Sequence, residues 1–276
     1  MRPTLVVING EQYWQRYFPE YEVVFRRLQE CSWVLRGGDL WCVSRESATR
    51  LDGVLWRVGA IRPDPRHRAT LELIRLSGVP CSNPASVLAR CHDRLSMLAE
   101  MREAGLPVIP FDAALGDDML RRLERPVPFV VKVGNHHAGL GKALVRDAGA
   151  WPEIADLLFA ADDYAVVEPF IDYERDVRCL AVGERMWAMT RASAGWKANV
   201  DTRKYQVIDP PPELAEHTRR AMRHLGADVL GLDFLQAKDG AYTLLECNDT
   251  PGLSGFPEEL REDVAECLRV RMLQRL

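Results

Sequence analysis

The segment VLGLDFLQAKDGAYTLLEC, residues 229–247, constrains this chain more than any other stretch. Asp239-Gly240 is a strong signal for a two-residue hairpin loop, because a type I′ turn needs positive φ at both central positions. With that loop, Lys238 faces Ala241, and counting outward sets Asp233 directly opposite Glu246, their Cβ atoms about 5 Å apart. Asn248 lies two residues further on and shares the face. Two like charges facing each other across a sheet are destabilising unless something positive sits between them. A hard divalent cation would supply it, and oxygen donors of this kind suit Mg2+, whose shell substrate phosphates usually complete. A register slipped by one residue, or a neighbouring Lys or Arg, would answer the same need.

The remainder of the chain bounds what such a hairpin can belong to. At 276 residues, 47% of them apolar, it can bury a sizeable core and divide into two or three lobes. Its 36 basic residues are scattered among 40 acidic ones, which leaves no field for a nucleic-acid backbone. The opening MRPTLVVING is too short an apolar run for a secretory signal, and no segment reaches the roughly 20 apolar residues of a membrane span. The expectation is a cytoplasmic protein with neither nucleic acid nor membrane as partner. The seven cysteines are widely spaced without a C-x-x-C pair, which predicts free thiols and no zinc site or disulfide framework.

Along the chain, TLVVI (4–8) and LDGVLWRVG (51–59) read as strands of a small α/β lobe, with a Gly37-Gly38 turn between them. A helix is predicted over about Ala69 to Ser77, stopped by Gly78 and Pro80. Asn83-Pro84 signals the next helix start, and a stretch with Leu95, Leu98 and Met101 on one face ends at Gly105 and Pro107. From Pro126 the pattern turns to strands: PFVVKV, ALVRD, AVVEPF, VRCLAV and RMWAMTRA. A helix over about Glu213 to Leu225 and an amphipathic helix at the C-terminus complete the pattern. The fold class is α/β (α+β), in three lobes over 1–84, 85–164 and 165–276, with sheets facing each other across a cleft.

Two further clusters carry chemistry. Lys132 interrupts the apolar strand FVVKV just before GNHHAGLGK, and a half-buried lysine needs an anion. Gly134, Gly139 and Gly141 would let the backbone approach phosphate oxygens and offer N–H donors. The spacing matches neither G-x-x-x-x-G-K-[ST] nor G-x-G-x-x-G, which leaves a strand-loop-strand phosphate cover or an ordinary hairpin loop. With Gly183-Glu184 as a loop, Asp176 faces Arg191 and Arg178 shares their surface, with Lys197 and Asn199 following in WKAN. Such guanidinium groups suit phosphate or carboxylate; a cross-strand salt bridge on a solvated face is the alternative. The six histidines show no metal-ligand spacing, and His136-His137 within the glycine loop keeps phosphate contact open. Arg57 and Arg62 flank a strand end and either hold a substrate carboxylate or lie on the surface.

Taken in order, these motifs resemble the ATP-grasp superfamily. VVKVGNHHAGLGK and YAVVEPFIDYERDVRCLAVGERMWAMTRASAGWKANV are similar to synapsin; VLGLDFL with LLECNDTPGL is similar to bacterial carboxylate-amine ligases such as the RimK-like ribosomal-protein glutamate ligases. The resemblance implies that Lys132 contacts ATP phosphates, that the loop holding Gly139, Gly141 and Lys142 covers them, and that Glu168, Pro169, Phe170 and Ile171 form the hinge against adenine. Because Pro169 lacks an N–H, the Glu168 carbonyl and the Phe170 N–H would read the adenine edge. Asp176 would belong to the nucleotide site; Arg178, Arg191 and Asn199 would face the transferred phosphoryl group; Asp233, Glu246 and Asn248 match the magnesium ligands. Arg94, in HDR, replaces the family's first nucleotide lysine, turning a point contact into a fork.

The implied activity is ATP-dependent ligation of a small-molecule or peptide carboxylate to an amine through an acyl phosphate. ATP and two magnesium ions would serve it, with manganese as a substitute. A synapsin-like ATP-binding regulator and a small-molecule kinase are the rival readings, and both the substrates and a homodimer stay open at this level.

Overall fold

A computed structural model describes residues 2–59, 64–115, 119–123, 125–137, 139–160, 164–193, 195–197 and 202–275. The N-terminal part holds strands β1 (Thr4–Ile8), β2 (Glu22–Arg26), β3 (Ser32–Arg36), β4 (Asp39–Val43), β5 (Ala48–Arg50) and β6 (Gly53–Trp56), then helix α1 (Pro65–Ser77) and β7 (Cys81–Ser82). Order β2-β1-β6-β7 makes one parallel sheet, and β3-β4-β5 an antiparallel meander beside it. Parallel sheets are covered on both faces, which is why TLVVI is apolar throughout: Val6 and Ile8 pack with α1 residues Leu71 and Ile74, while Leu5 and Val7 face the opposite cluster. Gly37 (φ +60°) and Gly38 (φ +90°) form the turn between β3 and β4. Helix α1 starts four residues before the predicted Ala69, because the Asp64 side chain caps the Arg66 N–H and Pro65 fits the first turn.

The middle of the chain holds α2 (Ala85–Arg90), α3 (Arg94–Glu103), β8 (Asp112–Ala114), β9 (Phe129–Val133), β10 (Lys142–Val145), α4 (Trp151–Phe159) and β11 (Ala165–Pro169). Four of these strands form a sheet in the order β10-β9-β11-β8. The boundary expected after residue 164 cuts this sheet, since Ala165–Pro169 pairs antiparallel with Phe129–Val133. Helix α4, which the sequence reading did not include, is seated by Trp151, whose ring meets Phe129 edge-on at 5.2 Å.

The C-terminal part holds β12 (Tyr173–Val182), β13 (Arg185–Ser193), β14 (Thr202–Ile208), α5 (Pro212–Leu225), β15 (Val229–Ala237), β16 (Tyr242–Asn248) and α6 (Glu259–Arg275). The five strands form an antiparallel sheet in the order β14-β13-β12-β15-β16. Alternation divides each central strand. Val177, Cys179, Leu230, Leu232 and Phe234 face helices α3 and α5, whereas Leu180 and Val182 meet α6 residues Leu260, Val264 and Leu268. Asp176 and Arg178 lie on the same face as Leu180, beyond the reach of α6.

The Gly183-Glu184 hairpin has the expected register, with Asp176 opposite Arg191. The last hairpin does not have the expected loop. Its loop is the three residues Lys238 to Gly240, closed by Gly240 N–H to Ala237 O and Ala237 N–H to Ala241 O, both 2.9 Å, with Gly240 at φ +89°. Gln236 therefore faces Tyr242, one residue off the expected register, and a bulge at Leu245 restores it, so that Asp233 does face Glu246.

Asn83 ties the N-terminal part to this hairpin. Its buried side chain donates to Val229 O (2.6 Å) and Asp249 O (2.7 Å) and accepts from the N–H of Asp228 (2.7 Å) and Val229 (2.9 Å). Asn83→Ala leaves these backbone groups unpaired in the interior, and a loss of roughly 2–5 kcal/mol in urea unfolding is expected.

Candidate active site

The β10-β9-β11-β8 sheet and the large C-terminal sheet face each other across a cleft of about 670 Å3, open to solvent, lined by Lys132, Lys142, Glu168, Asp176, Asp233 and Glu246 among others. On the first sheet Lys132 and Lys142 are directly opposite each other in register. Lys132 forms an ion pair with Glu168, both side chains buried. Burial pushes the Lys132 ammonium down to about 8 in spite of Glu168, and burial likewise lowers Lys142, which Glu246 partly offsets.

On the second sheet a chain of four groups crosses three strands. Arg178 grips Asp233 with two parallel bonds of 2.7 Å; Arg191 reaches both Asp233 (3.0 Å) and Asp176 (2.7 Å). The salt bridge allowed by the sequence is present, but buried, not on a solvated face. Burial raises the Asp176 carboxyl to about 6, against the pull of Arg191. Burial also opposes the ionised form of Asp233, yet Arg178 and Arg191 hold its carboxyl below the ordinary range.

Glu246 is balanced from the other side. Burial opposes its charge, and a hydrogen bond from the His137 ring (Nδ1 to Oε1, 3.1 Å) together with Lys142 and Arg94 outweighs it, so its carboxyl lies well below the usual value. Protein cations thus answer the need that the facing carboxylates create, and they do so separately for each. The His137 contact has no signature in spacing; its position between Lys132 and Lys142 was the available signal. Asn248 completes the face, with its Nδ2 3.4 Å from Asp233 Oδ2.

The glycine loop folds over the end of β9. Val133 N–H bonds Gly141 O (2.7 Å), Gly134, Gly139 and Gly141 all have positive φ, and a Cβ on Gly141 would come within 3.1 Å of Val133 O. Lys197 reaches the loop from the large sheet, donating to Gly139 O at 2.8 Å. Arg94, buried at the first turn of α3, donates to His136 O (2.9 Å) beneath the same loop.

At the hinge, Pro169, Phe170 and Ile171 line the cleft. The Phe170 N–H, expected to read an adenine edge, donates here to Pro128 O at 3.3 Å, where the chain crossing after β11 packs on the residue preceding β9. Asn199 and Arg62 lie outside the described residues. Arg57 donates to Pro251 O (3.1 Å), and its guanidinium lies over the Trp14 ring.

Two buried polar atoms, Arg94 Nε and Glu168 Oε1, have no hydrogen-bond partner among the described residues, and Glu168 lines the cleft, where its free oxygen can accept from a polar ligand. The all-oxygen set of Asp233, Glu246 and Asn248 fits a hard cation such as magnesium. The family model described as "Synapsin, ATP binding domain" matches residues 116–272, more than half of the chain. A probable alpha-L-glutamate ligase of Xanthomonas oryzae pv. oryzae is 30% identical over 227 residues, covering 79% of this chain and 76% of that one. This chain belongs to the ATP-grasp carboxylate–amine ligases. The ATP-grasp fold extends over its full length: D-alanyl-alanine synthetase A from Vibrio cholerae superposes with a TM-score of 0.76 at 13% identity, covering 99% of both chains. A RiPP-associated ATP-grasp ligase from Chryseobacterium gregarium, solved with ADP and a leader and core peptide, superposes with a TM-score of 0.70 at 14% identity, covering 98% of this chain and 97% of that one. No helix among the described residues of this ATP-grasp ligase is long and apolar enough to cross a membrane.

Removing one partner of a buried ion pair strands the other. Glu168→Leu in this ligase should cost roughly 3–5 kcal/mol in urea unfolding, and the double variant Lys132→Met/Glu168→Leu should recover much of the loss.

Proposed function

We propose that ATP lies between the two sheets with its adenine at Glu168 to Ile171 and its phosphates toward Lys132, Lys142 and Arg94, under the glycine loop. The observation that carries this reading is the pair of lysines placed opposite each other in a buried sheet, an arrangement that repels itself unless anions lie against it. Phosphate oxygens from one ligand would satisfy both lysines and the unpartnered Arg94 Nε at once.

Asp233, Glu246 and Asn248 would hold magnesium, two ions in this reading, which when bound lowers the repulsion between phosphate oxygens and an incoming anion. A substrate carboxylate attacks the γ-phosphorus, the bond to the β-phosphate oxygen breaks, and ADP leaves. The resulting acyl phosphate is then opened by an amine, which forms the amide and releases phosphate. Arg178 and Arg191, held in place by Asp233 and Asp176, present fixed positive charge to the transferred phosphoryl group, and Asn199 is assigned to the same task. No protein nucleophile is needed, because phosphoryl transfer depends on positioning and electrostatics. Small molecules or peptides supply the carboxylate and the amine.

Two outcomes test the assignment. Glu246→Gln is expected to keep its near-UV circular dichroism and to lose at least about a hundredfold in substrate-dependent ADP release; normal release would remove Glu246 from the metal site. Because burial pushes the Lys132 ammonium down to about 8 in the free protein while phosphate favours the charged form, ATP binding above that pH takes up a proton. Affinity should fall as pH rises above about 8, by up to about tenfold per unit, and Lys132→Arg should flatten that slope in calorimetric titrations.

A further inference from the structure

A second cavity meets the active site from the N-terminal side. It lies where the parallel strand β6 ends, between α1, α2 and the segment following β16. One wall is apolar, formed by Trp56, Leu71 and Leu88; the other is formed by His137, Asn248 and Asp249. His137 links the two cavities, since the ring that lines this chamber hydrogen-bonds Glu246, which lines the nucleotide cleft. The chamber therefore adjoins the same carboxylate face as the phosphates, from the other side of the glycine loop.

No Lys or Arg is among the described residues that line it. His67 and His92, whose rings meet edge-on at 6.4 Å, are both lowered by burial, which disfavours the imidazolium form. Asp249 supplies the carboxyl group among the described residues of the lining. A wall of this kind offers acceptors to N–H groups and a hydrocarbon surface beyond them, while a carboxylate placed against Leu71 and Leu88 would be desolvated without a partner.

We propose that this chamber holds the amine substrate of the ligase, and that the substrate is a primary amine on an uncharged apolar body, with its N–H groups on Asp249 and its body against Trp56, Leu71 and Leu88. The proposal rests on the ligase reading above and names its nucleophile. On entry the ammonium gives one proton to solvent. The nitrogen lone pair then forms the C–N bond to the acyl carbon, the bond from that carbon to the phosphate oxygen breaks, and a second N–H proton leaves with hydrogen phosphate.

The chemistry is shared by a free hydrocarbon amine and by the apolar N-terminal residue of a peptide. Calorimetry on the full chain saturated with Mg-ADP, titrated with 2-phenylethylamine, leucinamide, Leu-Gly-Gly-amide and isoglutamine, separates them. Apolar amines should bind at least tenfold more tightly than isoglutamine, and the ratio of Leu-Gly-Gly-amide to 2-phenylethylamine assigns the source. Val58→Glu, at a half-buried position of the lining, should weaken the apolar amines tenfold or more without changing ADP affinity; Leu71→Ala is the milder second variant. Isoglutamine binding as well as the apolar amines, or unchanged binding in both variants, overturns the proposal. ADP release with the same panel keeps the two readings apart. Apolar amines that bind but never yield ADP or amide with any carboxylate would defeat the ligase reading and leave the chamber standing, whereas amide formation with isoglutamine alone would defeat the chamber and leave the ligase.

Discussion

Lys132 and Lys142 face each other in the interior, and the structure around them is organised by the need to balance that charge. Glu168 answers Lys132 from the neighbouring strand, and Glu246 answers Lys142 from the opposite sheet. Opposite them Asp233 and Glu246 are themselves neighbours, each compensated by a different set of cations. At separations of a few ångströms in a poorly solvated cleft, none of these charges can be removed without exposing another.

The same strands that carry these charges are held by apolar faces. Alternation sends Val177, Cys179, Leu232 and Phe234 into the cluster under α3 and α5, so Asp176, Arg178 and Asp233 are fixed on the reverse side by a packed core. Arg178 and Arg191 are further locked by their carboxylates before any substrate arrives. Preorganisation of this kind is where electrostatic catalysis gets its strength, because the groups do not reorient as charge develops.

Helix α6 and Asn83 perform the other structural task, joining the N-terminal sheet to the large one. Leu260, Val264 and Leu268 pack between β1 and β12, and the Asn83 side chain clamps both ends of the carboxylate hairpin. That junction fixes the position of Asn248 and Asp249 relative to Trp56 and Leu71, so the second chamber is a product of packing between lobes and not of any one of them.

By itself the sequence determined strands β1, β6, β9 to β13, β15 and β16, the Gly183-Glu184 register and the lysine before the glycine loop, because each follows from local turn chemistry and a period of two. It placed Asp233 opposite Glu246 although the loop is one residue longer than its Asp-Gly signal indicates, since the bulge at Leu245 cancels the difference. It did not disclose the meander of β3 to β5, the pairing of Ala165–Pro169 with the lysine strand, or the grip of His137 on Glu246. Those are contacts between segments far apart in the chain, and only the tertiary structure decides them, because hydrophobic burial and charge compensation act across space without leaving a period in the sequence.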